Sequence, residues 1–255
     1  MITLHDKTTF NREAFWDLTD MTKMGEKFRI DRNLQSLQHM PLDMLKSVLL
    51  QYRFFTHYYI ADLALLVSKL PFGELRSILA DILNEELGEG NADDSHPELY
   101  DKFLLSIGIE KEALDNADQY CIRNLHSVQQ SLIEQSWSYG VGLRGMGGEC
   151  LCQIYLSTMH DYFSKNPAIV EMQGSVAWKF WEIHIGEVDL HHQTIVRAAI
   201  DHLLTSEPEL SGDLIAGYKE SRSAWDRFWL QIFTAAAKGN VTDIDFAKAY
   251  MPLAV

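Results

Sequence analysis

Runs of lysine and arginine are missing from these 255 residues. With a formal net charge of −14 the chain has no basic footprint for nucleic acid or for an anionic membrane. The expected partner is therefore a small-molecule substrate, with no nucleic acid and no membrane. Cysteine is also scarce: Cys121, Cys150 and Cys152 make an odd number without the spacing of a disulfide framework, and Cys150-x-Cys152 is not the CxxC of a redox or zinc site. This predicts a reduced, cytoplasmic protein. No apolar run approaches the roughly 18 residues of a membrane span. The opening MITLHDKTTFNREAFW has no basic segment followed by the apolar stretch of an export signal. Convincing strands, internal repeats and low-complexity linkers are absent as well.

What remains is helical periodicity over most of a chain that is 47% hydrophobic, enough to bury a substantial core as one domain, residues 1–255. A first helical region is expected over about 11–38. Pro41 then opens a long helix that stops at Pro71, since proline fits the first turn of a helix and the position just beyond its end. Further helices are expected over 73–87, 96–106, 119–137, 148–164, 175–204 and 208–237, with a glycine-rich passage YGVGLRGMGG before Glu149.

Three stretches carry candidate chemistry. NEELGEGNADDSHPELY, residues 84–100, ends a helix with Glu85 and Glu86 and restarts one at His96 after a glycine break. Carboxylate and imidazole are ligands of a divalent metal of intermediate hardness such as iron, and also ordinary residues of a helix end. WEIHIGEVDLHHQ, residues 181–193, gathers His184, Glu187, Asp189, His191 and His192. At about 100° per residue, His184, Glu187 and His191 share a face at about 0°, −60° and −20°, and Asp189 lies about 140° away. Glu149 in GMGGECLCQIYL sits among small and apolar residues. A charge there either faces inward, paired or on a metal, or occupies a first helical turn favoured by the helix dipole. Three helices with inward ligands are how helical bundles build metal sites.

The order EExG, then HPEL, then an inward glutamate some fifty residues on, then a helix with H-x(n)-D-x-x-H resembles the haem-oxygenase-like dimetal oxidases. The resemblance covers most of the chain in element order and is strongest over residues 84–100 and 181–193. It implies an all-α, seven-helix haem-oxygenase-like bundle, shared with the TenA thiaminases, the PqqC oxidase and the chlamydial death-domain-associating protein. It further implies a non-haem diiron oxidase or oxygenase that holds two Fe(II) ions, takes dioxygen as co-substrate and oxidises an amino-acid derivative or a fatty acid, with room for a homodimer. Carried over position by position, the ligands are Glu85, His96, Glu149, His184, Asp189 and His192. The family spacing is H-x-x-x-D-x-x-H, whereas His184 and Asp189 are five apart with Val188 at the fourth position. Either a one-residue π-bulge near Gly186 restores the register for Asp189 and His192, which is the reading preferred here, or Glu187 and His191 serve instead. The long loop after Glu85 also leaves Glu86 or Glu89 as ligands.

A ferritin-like site needs an E-x-x-H pair on each of two helices, and no glutamate here has a histidine three residues later. The alternatives kept are a TenA-like thiaminase, which would need Cys150 or Cys152 as nucleophile where apolar surroundings favour packing, and a non-catalytic metal-binding or interaction protein on the same bundle. Phe54, Phe55, Tyr58 and Tyr59 in QYRFFTHYY read as core or as a pocket wall, with His57 and Asp62 within reach of it. Arg144 reads as a surface residue rather than a substrate-carboxylate anchor.

Overall fold

The computed structural model describes residues 11–19, 21–238 and 243–245, without the side chains of 19, 21–22, 187–189, 238 and 243–245. The fold is all-α. Its helices in chain order are α1 (Arg12–Thr19), α2 (Met21–Arg29), α3 (Arg32–Ser36), α4 (Leu42–Lys69), α5 (Glu74–Glu86), α6 (His96–Ser106), α7 (Gln119–Glu134), α8 (Trp137–Gly140), α9 (Cys152–Phe163), α10 (Pro167–Glu171), α11 (Lys179–Ile185), α12 (Glu187–Ser206) and α13 (Ser211–Lys238), with a π-helix over Val141–Glu149 between α8 and α9.

The central rod is α4. Pro41 stands at its N-cap, Asp43 lies in the first turn and Lys69 in the last, where its ammonium donates to the carbonyls of Leu132 and Gln135. Around α4 pack α5, α6, α7 and α13, while α9 packs against α2 and α11, and α12 against α5. One large apolar cluster runs through these layers, including Leu45, Leu66, Phe103, Phe163, Trp181 and Ile232, all essentially solvent-free.

Three expectations need correction. The first helical region is interrupted before α3, because the aspartate of Ile30-Asp31 caps α3 by accepting from the Asn33 and Leu34 amides. The single helix expected over 175–204 is broken at Gly186, whose extended backbone (φ −86°, ψ −160°) separates α11 from α12; no π-bulge carries the register across. A two-stranded antiparallel ladder, β1 (Asn116–Asp118) with β2 (Asp243–Asp245), was not legible as strand.

The glycine-rich passage is itself helical, in the wider π form, in which the Cys150 amide donates to the Gly145 carbonyl five residues back (3.3 Å). Its glycines let α13 approach to backbone contact. A Cβ at Gly142 would collide with the Leu214 carbonyl, and one at Gly147 with the Ser221 hydroxyl. The indole of Trp225 on α13 then donates to the Gly147 carbonyl (3.1 Å).

Candidate metal centre

Residues Glu85 and Glu86 occupy the last turn of α5, where two carboxylates face the negative end of the helix dipole. The turn is closed by the Gly88 amide donating to Glu85 O (2.8 Å) and the Glu89 amide to Asn84 O (2.9 Å). This is the paired-bond C-terminal motif that needs a left-handed residue, and Gly88 supplies it with φ 83°. A side chain there would strike the Asn91 carbonyl. The chain then re-enters helix at Ser95, so that His96 stands at the first position of α6.

His96, from α6, meets Glu86 from α5 and His184 from the last turn of α11; one donor atom of each lies within 4.8 Å of the other two. The His96 and His184 rings stand edge to face with centroids 4.5 Å apart. Nδ1 of His96 is 2.8 Å from Glu86 Oε2, yet the contact lacks hydrogen-bond geometry and leaves that buried nitrogen unsatisfied. His184 donates from Nδ1 to the Phe180 carbonyl (2.7 Å). Because a carbonyl only accepts, the other ring nitrogen, Nε2, keeps its lone pair. Burial and the adjacent His96 lower the His184 pKa to about 4. Burial alone would also lower His96, but the carboxylates of Glu86, Glu149 and Glu85 together outweigh it and the net shift is upward. Burial would raise Glu86, and the imidazoles of His96, His184 and His192 more than reverse that.

Beside this cluster runs a second row. His192 on α12 contacts Glu85 Oε2 through Nε2 (2.9 Å) and faces Glu149 Oε2 through Nδ1 (3.9 Å). Glu149, at the end of the π-helix, is buried, and burial together with the Glu86 charge pushes its carboxyl up to about 8. Its Oε1 accepts a hydrogen bond from the Tyr59 phenol.

The structure thus brings together Glu85, His96, Glu149, His184 and His192 of the expected ligands, and adds Glu86, which stands beside His96 and His184 where Glu85 was assigned. The side chains of Asp189 and Glu187 lie outside the described residues. His191 and Glu89 are exposed. Glu149 ends the π-helix rather than opening the next helix, which starts at Cys152. Arg144, expected at the surface, is only 3% exposed. It is paired with Asp62, which also accepts from Gln129 (3.2 Å). Asp62 is thereby committed to Arg144. Cys150 is buried and Cys152 half-buried.

Sequence reasoning also missed Tyr59 as a partner of the site; its aromatic neighbours masked it as core. The chemistry of the donor set fits a cation. Among the described residues three carboxylates converge with no lysine or arginine as partner, one imidazole is held in the tautomer that keeps a lone pair, and one buried imidazole nitrogen is unsatisfied.

The profile of a family described as iron-containing redox enzymes matches residues 46–226. Among curated protein sequences nothing matches the chain. Solved structures with the same fold include a CADD-like protein of unknown function from Nostoc punctiforme, with 17% identity, TM-score 0.67, and coverage of 87% of this chain and 99% of that one. A TenA homolog from Pseudomonas syringae has 10% identity, TM-score 0.66 and coverage of 94% and 98%. A protein described as a TenA-like thiaminase from Sulfolobus solfataricus has 16% identity, TM-score 0.52 and coverage of 89% and 96%. At these identities the likeness is one of fold.

Proposed function

The chain belongs to the family of iron-containing redox enzymes, and from that premise we propose that it is a non-haem diiron oxidase that uses dioxygen to oxidise a small molecule, an amino-acid derivative or a fatty acid. The observation that carries this reading is the convergence of Glu86, His96 and His184 within 4.8 Å. These three would hold one ferrous ion. Glu85, Glu149 and His192, with Asp189, would hold the second. When bound, the ions supply the electrons and open coordination positions that let dioxygen react, chemistry that no side chain here provides.

The chain's own residues set the conditions. The Phe180 carbonyl fixes the His184 tautomer and ring direction, the second tier of support that metal-binding histidines require. Burial of His96, His184, His192 and Glu149 keeps water from the ligands, with Glu85 the exposed edge of the group at 39%. Glu149, with a pKa of about 8 in the metal-free protein, gives up a proton as a cation enters. A thiaminase on the same bundle would need a reactive thiol. Burial pushes the Cys150 thiol far above its ordinary range, which makes it a poor nucleophile.

The test is anaerobic titration of metal-free protein with ferrous iron, then exposure to dioxygen in the presence of pooled amino acids and fatty acids. Two equivalents bound and oxygen consumed with one substrate is the expected result. Failure to bind iron, with metal-free thiamine hydrolysis that is lost on Cys150→Ser or Cys152→Ser, would establish the thiaminase reading instead. Stoichiometric iron binding without oxygen consumption would point to a non-catalytic member.

A further inference from the structure

The π-helix presents to α4 a face on which Arg144, Gly148 and Glu149 come together, and α4 answers with Phe55, Tyr59 and Asp62, spaced four and three apart on one helical stripe. Tyr59 is held on every side by this match. Phe55 stacks on its ring at 5.5 Å between centroids, 24° from parallel. The Arg144 guanidinium, anchored by Asp62, lies 5.7 Å from the ring centroid. Gly148 lies against the ring, close enough that a Cβ there would stand 2.7 Å from the ring carbon Cε2. The phenol, buried with the rest of the side chain, has Glu149 as its hydrogen-bond partner.

We infer that Tyr59 is a positioning residue for the metal centre, holding Glu149 by one carboxylate oxygen so that the other is turned toward His192 and the ion. The inference rests on the diiron reading above. A free glutamate at the end of a helix can swing and can bind a metal through one oxygen or two. A phenol O–H on Oε1 removes one of those oxygens from competition and fixes the rotation of the carboxylate. Oε2 is the oxygen that faces His192 Nδ1, at 3.9 Å. Gly148 follows from the same arrangement: with any side chain at that position the ring could not reach the carboxylate. Tyr59 touches neither substrate nor reacting atoms in this account, and acts through Glu149.

The experiment compares the full-length wild type with Tyr59→Phe, which keeps the ring and its packing and removes only the hydroxyl. Both are titrated anaerobically with ferrous iron, and separately with Co(II), whose visible bands report ligand geometry. Metal-free thermal unfolding is recorded alongside. Tyr59→Phe is expected to weaken one of the two ions about 10- to 100-fold, as loss of such an outer partner does. It should also shift the Co(II) bands of that site, leave the other ion unchanged, and unfold within a few degrees of wild type when metal-free. Gly148→Ala, which pushes the ring away from Glu149, should weaken the same ion even if Tyr59→Phe fails to fold.

Wild-type affinity and an unchanged Co(II) spectrum in the variant that folds would overturn the inference and leave the diiron reading standing. Equal weakening of both ions together with a lowered unfolding temperature would overturn it in favour of a purely structural role. A wild type that binds no iron or cobalt would sink both.

Discussion

The two halves of the site are built differently. Glu86, His96 and His184 come from helix ends set by local signals: a glycine stop, a Ser-x-Pro start and an i to i−4 bond from His184 to its own helix. Glu86 is lowered there and His96 raised, chiefly by each other, with smaller contributions from the second row. In the other row Glu85 shares that glycine stop, but Glu149 and His192 depend on other arrangements, namely the approach of α13 to the π-helix, the break at Gly186 and Tyr59 on α4. That row also leaves one carboxyl, Glu149, displaced to about 8. The first half is set at helix ends; in the second, Glu149 is held by Tyr59 and by the packing of the π-helix.

The largest effect should separate the halves by metal occupancy. His96→Ala and His184→Ala are expected to abolish the tighter of the two iron equivalents, well beyond the roughly 100-fold that loss of an outer partner causes. Glu85→Ala and His192→Ala should remove the weaker one and spare the tighter. His191→Ala, at an exposed side chain, should leave iron unchanged. Anaerobic titration with metal analysis checks all of these, and a tight site that disappears in His192→Ala would break the division.

A smaller effect concerns pH and the metal-free protein. Folded Glu149 keeps its proton up to about pH 8, whereas in the unfolded chain it is lost near the ordinary 4.5, so the folded state binds more protons across that span and stability falls as pH rises. His184 acts oppositely: its folded pKa of about 4 lies below the ordinary 6.5, so stability rises with pH up to about 6.5. The two oppose each other below pH 6.5. Above it Glu149 acts together with His96, whose upward shift has the same sign. Denaturant unfolding should therefore show stability declining between pH 6.5 and 8, by on the order of 2 kcal/mol from Glu149. Glu149→Gln or saturation with iron should flatten the slope, and a slope untouched by Glu149→Gln would remove the pH asymmetry between the halves.

The smallest effect is expected at Cys150. Cys150→Ala should cost about 1 kcal/mol of stability through lost packing, with iron stoichiometry intact. Loss of oxygen-dependent turnover in that variant would return the thiol to the chemistry.

How far the sequence could be read follows the same division. The bounds of α4 were legible because Pro41 and Pro71 punctuate it, and the end of α5 because Gly88 can adopt a positive φ. Which of the two adjacent glutamates stands beside His96 was not legible, since that depends on how α5 and α6 pack, and periodicity within one helix carries no such information. Arg144 looked like a surface residue because its partner Asp62 lies 82 positions earlier in the chain. The π-helix escaped because its wide turn is set by the fit of glycines against α13, a contact between segments some seventy residues apart. The ladder of β1 and β2 is only three residues per strand, and a polar-apolar-polar triplet is too short a run to stand out as strand.

The wide turn also makes the passage from Val141 to Glu149 sensitive to chain length as well as to composition. Substitutions in the loop from Glu89 to Asp93 fall on exposed residues, and one residue more or less there would shift a turn. Deleting a single residue between Val141 and Gly148 would let the helix tighten and swing Glu149 by about 100°, away from Tyr59 and His192, though no ligand had been touched. The centre is in this sense metered: the count of residues between Trp137 and Cys152 is as much a part of it as the side chains it carries.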